Sequence, residues 1–316
     1  MDADAAMSDK LAFVFPGQGS QQVGMLADYI EEPVVLATFA EASGVLGFDL
    51  ASLVNNGPAE DLNRTENTQP ALLTASVALW RLFCERGGKK PAMMAGHSLG
   101  EYSALVCAGA LDFKDAVRLV HLRGKFMQDA VAPGKGAMAA IIGLDDAVVI
   151  DVCAKAAEGE VVEAVNFNAP GQVVVAGQVA AVKRAVEQAK EVGARKAIEL
   201  PVSVPSHCAL MRPAAERLAA ELRSIALNTP EVAVVQNVTA EICKDPEQLK
   251  KNLVAQLYSP VRWVEIISIM QQSGVESFAE CGPGKVLAGL NKRIVRRAPV
   301  AVLESEAGMS SLLEGK

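Results

Sequence analysis

The stretch PAMMAGHSLGEYSALVCA, residues 91–108, has the pattern of a strand, a tight turn and a helix. Its apolar residues 92–95 predict a short buried strand, and the residues after the second glycine predict a helix. The segment GHSLG between them, residues 96–100, satisfies G-x-S-x-G in the strand–turn–helix context that a nucleophile elbow requires. Such a turn lifts the hydroxyl of Ser98 above the sheet. The alternative is a glycine-flanked serine in an ordinary turn between strand and helix.

Strands and helices alternate on both sides of this stretch. Before it, LAFVF at residues 11–15 predicts a buried strand, and helical spacing runs over residues 69–86 to a double glycine. After it, a second helix is predicted over residues 114–130. This alternation is typical of a parallel sheet that helices cover on both faces.

The pattern changes after Pro133-Gly134. The next predicted elements are a strand, a helix, two strands, a helix and a strand, at residues 136–144, 146–157, 161–168, 171–177, 179–192 and 195–202. The order βαββαβ is that of a ferredoxin-like unit. We therefore expect a small ferredoxin-like domain at residues 132–202, inserted into a large α/β domain that comprises residues 1–131 and 203–316.

Strand and helix alternation resumes after this insertion. A helix is predicted over residues 209–225, a strand over 231–237, helices around Leu249 and Ile266, and a strand over 275–280. These elements extend the sheet of the large domain.

A serine hydroxyl is a poor nucleophile without a base, and histidine is the usual base. The chain has three histidines. His97 adjoins Ser98, so its side chain should project elsewhere, and His121 lies among apolar residues on a helix. His207 lies in the loop PVSVPSHCALMR, and a loop position suits a catalytic base. Elimination therefore favours His207; the alternative is a surface or helix-capping histidine.

The glycine turn PGQGSQ after the first strand resembles a dinucleotide-binding loop, but Gln22 occupies the position of the third glycine. The backbone amide of Gln18 can instead donate toward a site above the sheet. Together with the amide of Leu99, at the start of the helix after Ser98, it would form an oxyanion hole. The alternative is a plain glycine turn.

Arg123 interrupts an apolar helix face. Ala116, Val120, Met127 and Ala130 share that face at helical spacing, and Arg123 falls in its middle. A guanidinium on an apolar face is costly unless it is paired. Its partner is either a structural carboxylate or an anionic substrate, and a free carboxylate fits a bidentate arginine well.

Composition excludes several function classes. Hydrophobic residues make up 51% of the 316 residues, charged residues 21%, and the formal net charge is −7. This charge argues against bulk affinity for nucleic acid or anionic membranes. The six cysteines show no metal-ligand spacing, the N-terminus lacks a signal-peptide pattern, and no apolar run approaches the ~18 residues of a membrane helix. We expect a soluble cytoplasmic protein without a metal.

Seven segments together resemble the bacterial malonyl-CoA:acyl-carrier-protein transacylases of fatty acid synthesis. In chain order they are FVFPGQGSQ, QPALLTASVAL, GHSLGEYSALVCAG, RGKFMQ, VNFNAPGQVVVAG, PVSVPSHCALM and GPGKVL. The sequence is also similar to the acyltransferase domains of polyketide synthases, but it is closer to the stand-alone enzymes. The resemblance implies an α/β-hydrolase-like large subdomain with a parallel sheet and a ferredoxin-like small subdomain.

The resemblance also implies roles for single residues. Ser98 would carry the acyl group, His207 would be the base, and Arg123 would bind the malonyl carboxylate. Gln18 would join the Leu99 amide in the oxyanion hole.

Gln256, in AQLYSP, would orient the histidine in place of a triad aspartate. The residue before the histidine is Ser206, where polyketide acyltransferases for malonyl typically have phenylalanine and those for methylmalonyl serine. The stand-alone enzymes with PSH resemble malonyl transferases, which keeps malonyl as the expected group.

The activity so implied is transfer of a malonyl group from malonyl-CoA to the phosphopantetheine thiol of acyl carrier protein through an ester on Ser98. It needs no cofactor, and we expect a monomer. Carrier proteins of this type are acidic and need a basic docking site, for which the candidates are Lys285, Lys292, Arg293, Arg296 and Arg297. The alternative for these residues is a solvated charged helix face. Alternatives for the whole protein are a serine hydrolase or thioesterase and a catalytically silent scaffold that binds carrier protein.

Overall fold

The structure is a computed structural model that describes residues 8–202 and 204–315. The strands are β1 (Ser8–Phe15), β2 (Pro91–Gly96), β3 (Gly136–Ile142), β4 (Val162–Ala169), β5 (Gln172–Gln178), β6 (Lys196–Glu199), β7 (Ala233–Val235), β8 (Ser277–Glu280) and β9 (Val300–Val302). They form two separate sheets, one of five strands and one of four.

The helices flank these sheets. They are α1 (Pro33–Leu46), α2 (Leu50–Asn56), α3 (Ala59–Leu62), α4 (Thr65–Glu85), α5 (Gly100–Cys107), α6 (Phe113–Ala130), α7 (Asp146–Ala157), α8 (Val179–Glu191), α9 (Arg212–Leu222), α10 (Pro246–Gln256), α11 (Trp263–Gln272), α12 (Val286–Ile294) and α13 (Glu306–Leu313). Single 3₁₀ turns occupy Ala27–Tyr29 and Ala209–Met211.

The five-stranded sheet is parallel throughout and has the order β7-β2-β1-β8-β9. Side chains of β1 alternate between two cores, with Phe13 and Phe15 in one and Ala12 and Val14 in the other. A strand buried on both faces has a continuous apolar sequence, which explains LAFVF. Phe15 is in register with Gly96, so the loops after β1 and β2 leave the same edge of the sheet.

The four-stranded sheet is antiparallel and has the order β4-β5-β3-β6. Helices α7 and α8 pack on one face over a separate apolar core that includes Ile141, Val173 and Val182. The opposite face carries a smaller cluster that contains Met138, Val174 and Cys208. The predicted fold class, a parallel α/β unit with a βαββαβ unit, is confirmed, while the boundaries at residues 132 and 202 stay a prediction.

The helix predicted from residue 69 begins earlier, at Thr65, and contains Pro70 in its interior. Proline has no N–H, so the carbonyl four residues before it, that of Glu66, lacks its helical donor. His121 Nδ1 lies 2.9 Å from this carbonyl oxygen and supplies the missing hydrogen bond. His121 therefore has a structural partner within the helical layer.

Several elements were not predicted from the sequence. They are α1, α2, α3, α12, α13 and the edge strand β9. The helix predicted over residues 209–225 is a 3₁₀ turn followed by α9, which ends at Leu222. Over the described residues, no single helix has the length and hydropathy of a membrane span; only α1 and α2 taken together pass that test, with a bend of 117° between them.

Candidate active site

The turn after β2 has the geometry of a nucleophile elbow. Ser98 has φ of 51°, in the left-handed region that non-glycine residues rarely adopt. Strain of this kind costs roughly 1–3 kcal/mol and is concentrated at functional sites. A Cβ on Gly96 would lie 1.8 Å from the carbonyl carbon of Gly100, and a Cβ on Gly100 would lie 2.0 Å from the carbonyl oxygen of Phe15. Both glycines of G-x-S-x-G are therefore sterically required.

Asn237 holds this turn from the end of β7. Its side-chain oxygen accepts a hydrogen bond from the Ser98 amide at 2.8 Å, and its side-chain nitrogen donates to the Gly96 carbonyl at 2.7 Å. Asn237 is fully buried. Because the two bonds fix peptide groups on either side of the elbow, the position of the Ser98 hydroxyl is well defined.

His207 meets Ser98 above the carboxyl edge of the parallel sheet. Its Nε2 lies 2.8 Å from Ser98 Oγ, and its Nδ1 lies 2.7 Å from the backbone carbonyl oxygen of Gln256. A carbonyl only accepts, so Nδ1 carries the hydrogen and the lone pair of Nε2 faces the serine hydroxyl. His207 also has a positive φ, of 66°.

The C-terminus of α10 takes the place that an aspartate occupies in a Ser-His-Asp triad. The last carbonyls of a helix have no partner within the helix. Here the Gln256 carbonyl accepts from His207 Nδ1, and the Leu257 carbonyl accepts from the His207 backbone amide at 3.0 Å. The negative end of the helix dipole also favours a positive charge on the imidazole.

The pKa of His207 lies well below its ordinary value. Burial, and secondarily the positive charge of Arg123, lower the pKa of His207 to about 3. The imidazole is therefore neutral near pH 7 and is ready to accept a proton from Ser98 Oγ.

Arg123 reaches the same hydroxyl from α6. It is 1% exposed, and one guanidinium nitrogen lies 3.3 Å from Ser98 Oγ. Its other acceptors are uncharged side-chain oxygens, Gln69 Oε1 at 2.8 Å and Gln256 Oε1 at 3.0 Å. The Tyr102 ring also lies against the guanidinium, 5.3 Å from ring centroid to Cζ. Across residues 8–202 and 204–315, no Asp or Glu forms an ion pair with Arg123, so the structural-carboxylate alternative has no partner there.

A cavity of about 340 Å³ brings the sequence-predicted residues together. Gln18, Ser98, Leu99, Arg123 and His207 all line it. Gln18 follows β1, and Leu99 immediately precedes α5. Their backbone amides are thus the candidate donors to an oxygen held above Ser98.

Gln256 contacts His207 through its backbone, whereas its side chain contacts Arg123 and the elbow. Its Nε2 donates to the Ser98 carbonyl at 3.0 Å and to Glu101 Oε2 at 3.0 Å, and it lies 3.3 Å from Asn237 Oδ1. The sequence resemblance implied only that Gln256 orients the histidine. The side-chain contacts connect it to the arginine as well.

His97 projects away from the serine hydroxyl, as expected. Its Nε2 lies 2.8 Å from Asn168 Oδ1 on β4, and its ring packs against Trp263 at a centroid distance of 5.5 Å. With His121 bonded to a helix carbonyl, His207 is the one histidine of the described chain that contacts Ser98 Oγ.

Three residues that surround the site were missed in the sequence: Gln69, Asn237 and Glu101. Each is buried. Burial raises the pKa of Glu101 to about 7, while its hydrogen bonds act in the opposite direction. A carboxylate inside the apolar helix that follows G-x-S-x-G was the available signal for Glu101. Asn237 offered no comparable signal, because its role depends on pairing between β2 and β7.

Metal ions in proteins are bound mainly by His, Cys, Asp and Glu side chains. The part of the chain that the structure describes has no group of three or more arranged to hold an ion. Its cysteines are free thiols.

Comparison with known proteins agrees with the chemistry that the site geometry supports. A family model described as an acyl transferase domain matches residues 12–308. The chain is 60% identical over 306 residues to the malonyl CoA-acyl carrier protein transacylase of Escherichia coli (strain K12). The aligned residues cover 96% of this chain and 99% of that relative.

Solved structures are similarly close. An acyl carrier protein S-malonyltransferase from Vibrio cholerae matches with a TM-score of 0.94 and 57% identity, over 96% of this chain and 99% of that chain. A malonyl-transacylase in complex with its type II polyketide synthase acyl-carrier protein matches with a TM-score of 0.96 and 55% identity, over 97% of this chain and 100% of that chain.

Proposed function

This chain belongs to the family of malonyl-CoA:acyl-carrier-protein transacylases, and on that premise we propose that it transfers a malonyl group from malonyl-CoA to the phosphopantetheine thiol of an acyl carrier protein. The acyl group passes through an ester on Ser98. The product supplies fatty acid synthesis.

One observation carries the proposal for the site. Two groups meet at Ser98 Oγ: the neutral imidazole of His207 at 2.8 Å and the buried guanidinium of Arg123 at 3.3 Å. A base and a carboxylate-binding cation at one nucleophile are what transfer of an acyl group with a free carboxylate needs.

In the first half-reaction, Ser98 Oγ attacks the thioester carbonyl of malonyl-CoA. The hydroxyl proton moves to His207 Nε2 as the bond between Oγ and carbon forms. The carbon–sulfur bond then breaks, and the leaving sulfur of coenzyme A takes the proton from the imidazolium. Malonyl-Ser98 remains, with its carboxylate on Arg123.

The negative oxygen of the tetrahedral intermediate needs donors that are already in place. We assign this role to the amides of Gln18 and Leu99, which come from the two loops at the carboxyl edge of β1 and β2. Removing one such donor costs about 3–4 kcal/mol in other enzymes. The Ser98 amide is unsuitable because it already donates to Asn237.

In the second half-reaction, the thiol of the carrier's phosphopantetheine gives its proton to His207 and attacks the ester carbonyl. The bond between carbon and Ser98 Oγ breaks, and His207 returns the proton to the serine. One thioester replaces another without any change in oxidation state. We therefore propose that no redox cofactor takes part. His207 and the two backbone amides supply the base and the oxyanion donors, so the proposed steps need no metal ion.

Arg123 distinguishes this function from that of a serine hydrolase or thioesterase. A hydrolase of uncharged acyl groups gains nothing from a guanidinium beside its nucleophile, and burying an unpaired charge is costly. A malonyl carboxylate supplies the missing negative charge. We therefore favour malonyl over acetyl as the transferred group.

The mouth of the cavity suggests where the carrier docks. Val286 and Leu287 of α12 line the cavity, and exposed cations lie on this helix and just beyond it: Lys285, Lys292, Arg293, Arg296 and Arg297. Arg293 already contacts Gln172 and the Pro170 carbonyl, so the others are freer to meet an acidic partner. Charge reversal at Arg296 and Arg297 should raise KM for carrier protein and leave KM for malonyl-CoA unchanged; unchanged kinetics would remove this surface from consideration.

We further propose that the enzyme acts as a cytoplasmic monomer. Free thiols fit a reducing compartment, and the residues assigned to catalysis come from one chain.

Intact-mass measurement tests the proposed function directly. Mixing the protein with malonyl-CoA should add the mass of one malonyl group to the wild type and nothing to Ser98→Ala. The ester should discharge when carrier protein is added. A wild type that gains no mass, or a Ser98→Ala variant that still gains it, would overturn the assignment, and a mass adduct that only water discharges would support the hydrolase.

A further inference from the structure

We propose that Glu101 is a positioning residue that fixes Arg123 through the side-chain amide of Gln256, and that it thereby sets the preference for an acyl group bearing a carboxylate. The inference deepens the proposed function and rests on it. No direct contact between Glu101 and substrate is required.

Glu101 lies in the first turn of α5, three residues after the nucleophile. It is 1% exposed. Its Oε2 accepts two hydrogen bonds, from Gln256 Nε2 at 3.0 Å and from the Asn237 backbone amide at 2.9 Å. Burying a carboxylate this completely costs free energy unless the carboxylate is hydrogen-bonded or paired.

The hydrogen bond to Glu101 orients the side-chain amide of Gln256. The nitrogen end of this amide faces three oxygens, those of the Ser98 carbonyl, Glu101 and Asn237, at 3.0, 3.0 and 3.3 Å. The oxygen end faces a guanidinium N–H of Arg123 at 3.0 Å. The flipped amide would set oxygen against oxygen and N–H against N–H, so only one orientation satisfies both ends.

Glu101 is the ionisable member of those three acceptors, and its ionised form is the strongest acceptor among them. Hydrogen bonds to charged groups are the stronger ones, so Glu101 contributes most to holding the amide nitrogen. The amide oxygen is then presented to Arg123, which Gln69 holds from the other side. The guanidinium is thus held next to Ser98 Oγ, where the acyl chain will be attached.

The separation of Glu101 from Arg123 is also functional. A carboxylate bonded directly to the guanidinium would occupy the N–H groups that a malonyl carboxylate needs. Gln256 Oε1 accepts from one guanidinium nitrogen, so with this amide between them the carboxyl group of Glu101 lies near the cation without taking a pair of its N–H groups.

The test measures kcat/KM for malonyl-CoA and for acetyl-CoA with the same carrier protein, and takes their ratio. Glu101→Leu removes the acceptor and should lower the ratio about tenfold, the loss expected for one hydrogen bond to a charged group. Glu101→Gln keeps an acceptor oxygen at the same place but removes the charge, so it should restore part of the ratio. Leu105→Ala, on the same helix and buried among apolar residues, destabilises α5 without touching the network, and it should leave the ratio unchanged.

A double-mutant cycle separates positioning from general damage. If Glu101 acts through Gln256, then Glu101→Leu should cause no further fall in the ratio once Gln256→Ala is present. Should Glu101→Leu fail to fold, Glu101→Asp withdraws the carboxylate by one methylene and should lower the ratio in the same way.

Two failures are distinguishable. If Arg123→Ala lowers the ratio but a folded Glu101→Leu or Glu101→Asp does not, the positioning role is wrong and the proposed function stands. If Arg123→Ala itself leaves the ratio unchanged, the malonyl-binding role of Arg123 fails first. An additive fall in the double variant would also overturn the proposal.

Discussion

The two sheets of this molecule contribute differently to one cavity. From the carboxyl edge of the parallel sheet come Gln18 and Ser98, which line the cavity, and Asn237, which holds the elbow behind them. Each lies two or three residues after the end of its strand. The antiparallel sheet contributes wall residues, among them Met138 and Asn168. The parallel sheet holds the nucleophile, and the antiparallel sheet helps to enclose it.

The difference follows from strand direction. In a parallel sheet all carboxyl ends meet at one edge, so loops distant in sequence converge there. In an antiparallel sheet neighbouring ends alternate, and what the sheet offers is a face. One face of this sheet is covered by α7 and α8, which leaves the other to close the cavity. Substitutions on the side of the parallel sheet should therefore affect the chemistry, and substitutions on the side of the antiparallel sheet should affect fit or stability.

The largest effect should come from the base opposite the parallel sheet. His207→Ala removes the acceptor of the Ser98 proton and should lower kcat for both half-reactions about 10²- to 10⁴-fold. Rapid-quench measurement of ester formation and discharge checks both steps. A loss confined to one half-reaction would mean that a second group acts as base in the other.

A matched pair of asparagines tests the comparison itself. Asn237→Ala frees the Ser98 amide and the Gly96 carbonyl and should lower kcat about tenfold, the cost of leaving a buried polar group unpaired. Asn168→Ala, on the antiparallel sheet, removes only the partner of His97 and should change kcat less than about threefold. Equal losses in steady-state assays would break the distinction between the two sheets.

The pH dependence of acylation tests how Arg123 affects the pKa of His207. With the pKa of His207 lowered to about 3, the base form persists as pH falls, so acylation should show no inflection near pH 6.5. Because the charge of Arg123 contributes to this lowering, Arg123→Ala should raise the pKa of His207 and move the acid limb to higher pH. Acylation by acetyl-CoA, followed from pH 4 to 8, checks this: the wild type should stay near its plateau while Arg123→Ala loses rate toward pH 4. Matching profiles would argue against the coupling.

The smallest effect on chemistry should come from the core of the small unit. Ile141→Ala leaves a cavity between β3 and the helices α7 and α8, and it should lower the free energy of unfolding by about 2–5 kcal/mol. The kcat of the folded fraction should be unchanged. Denaturant titration and active-site titration separate the two quantities, and a fall in kcat per active site would show that the antiparallel sheet does more than enclose the cavity.

Local sequence signals predicted much of the fold. The buried run of β1, the elbow and the βαββαβ order are patterns within short windows, and the structure has all three. Strand β9 was missed because three half-buried residues at a sheet edge leave little pattern. The start of α4 was missed because Pro70 suggests a helix boundary. The hydrogen bond that the proline removes is replaced by one from His121, which is distant in sequence.

The candidate site was predictable where the chemistry requires a particular residue type. Ser98 follows from its turn, Arg123 from its misplaced charge and His207 from elimination. Asn237 left no sequence signal because its role is a set of hydrogen bonds to the elbow, more than 130 positions away. Glu101 left only the signal of a carboxylate in an apolar helix, and its partners Asn237 and Gln256 are equally distant. The carbonyl that accepts the hydrogen bond from His207 Nδ1 is a backbone group. Every residue type has such a group, so no sequence signal marks its position.

The position of β1 in the middle of its sheet has a consequence for synthesis. On the ribosome this strand emerges before the other described strands, yet one of its two neighbours is β8, which follows it by more than 260 residues. Until then the nascent chain carries LAFVF as an uncovered edge, and exposed apolar edges promote aggregation. Chains cut short before residue 277 should therefore be inactive and should depend on chaperones, although Ser98, Arg123 and His207 are all present in them.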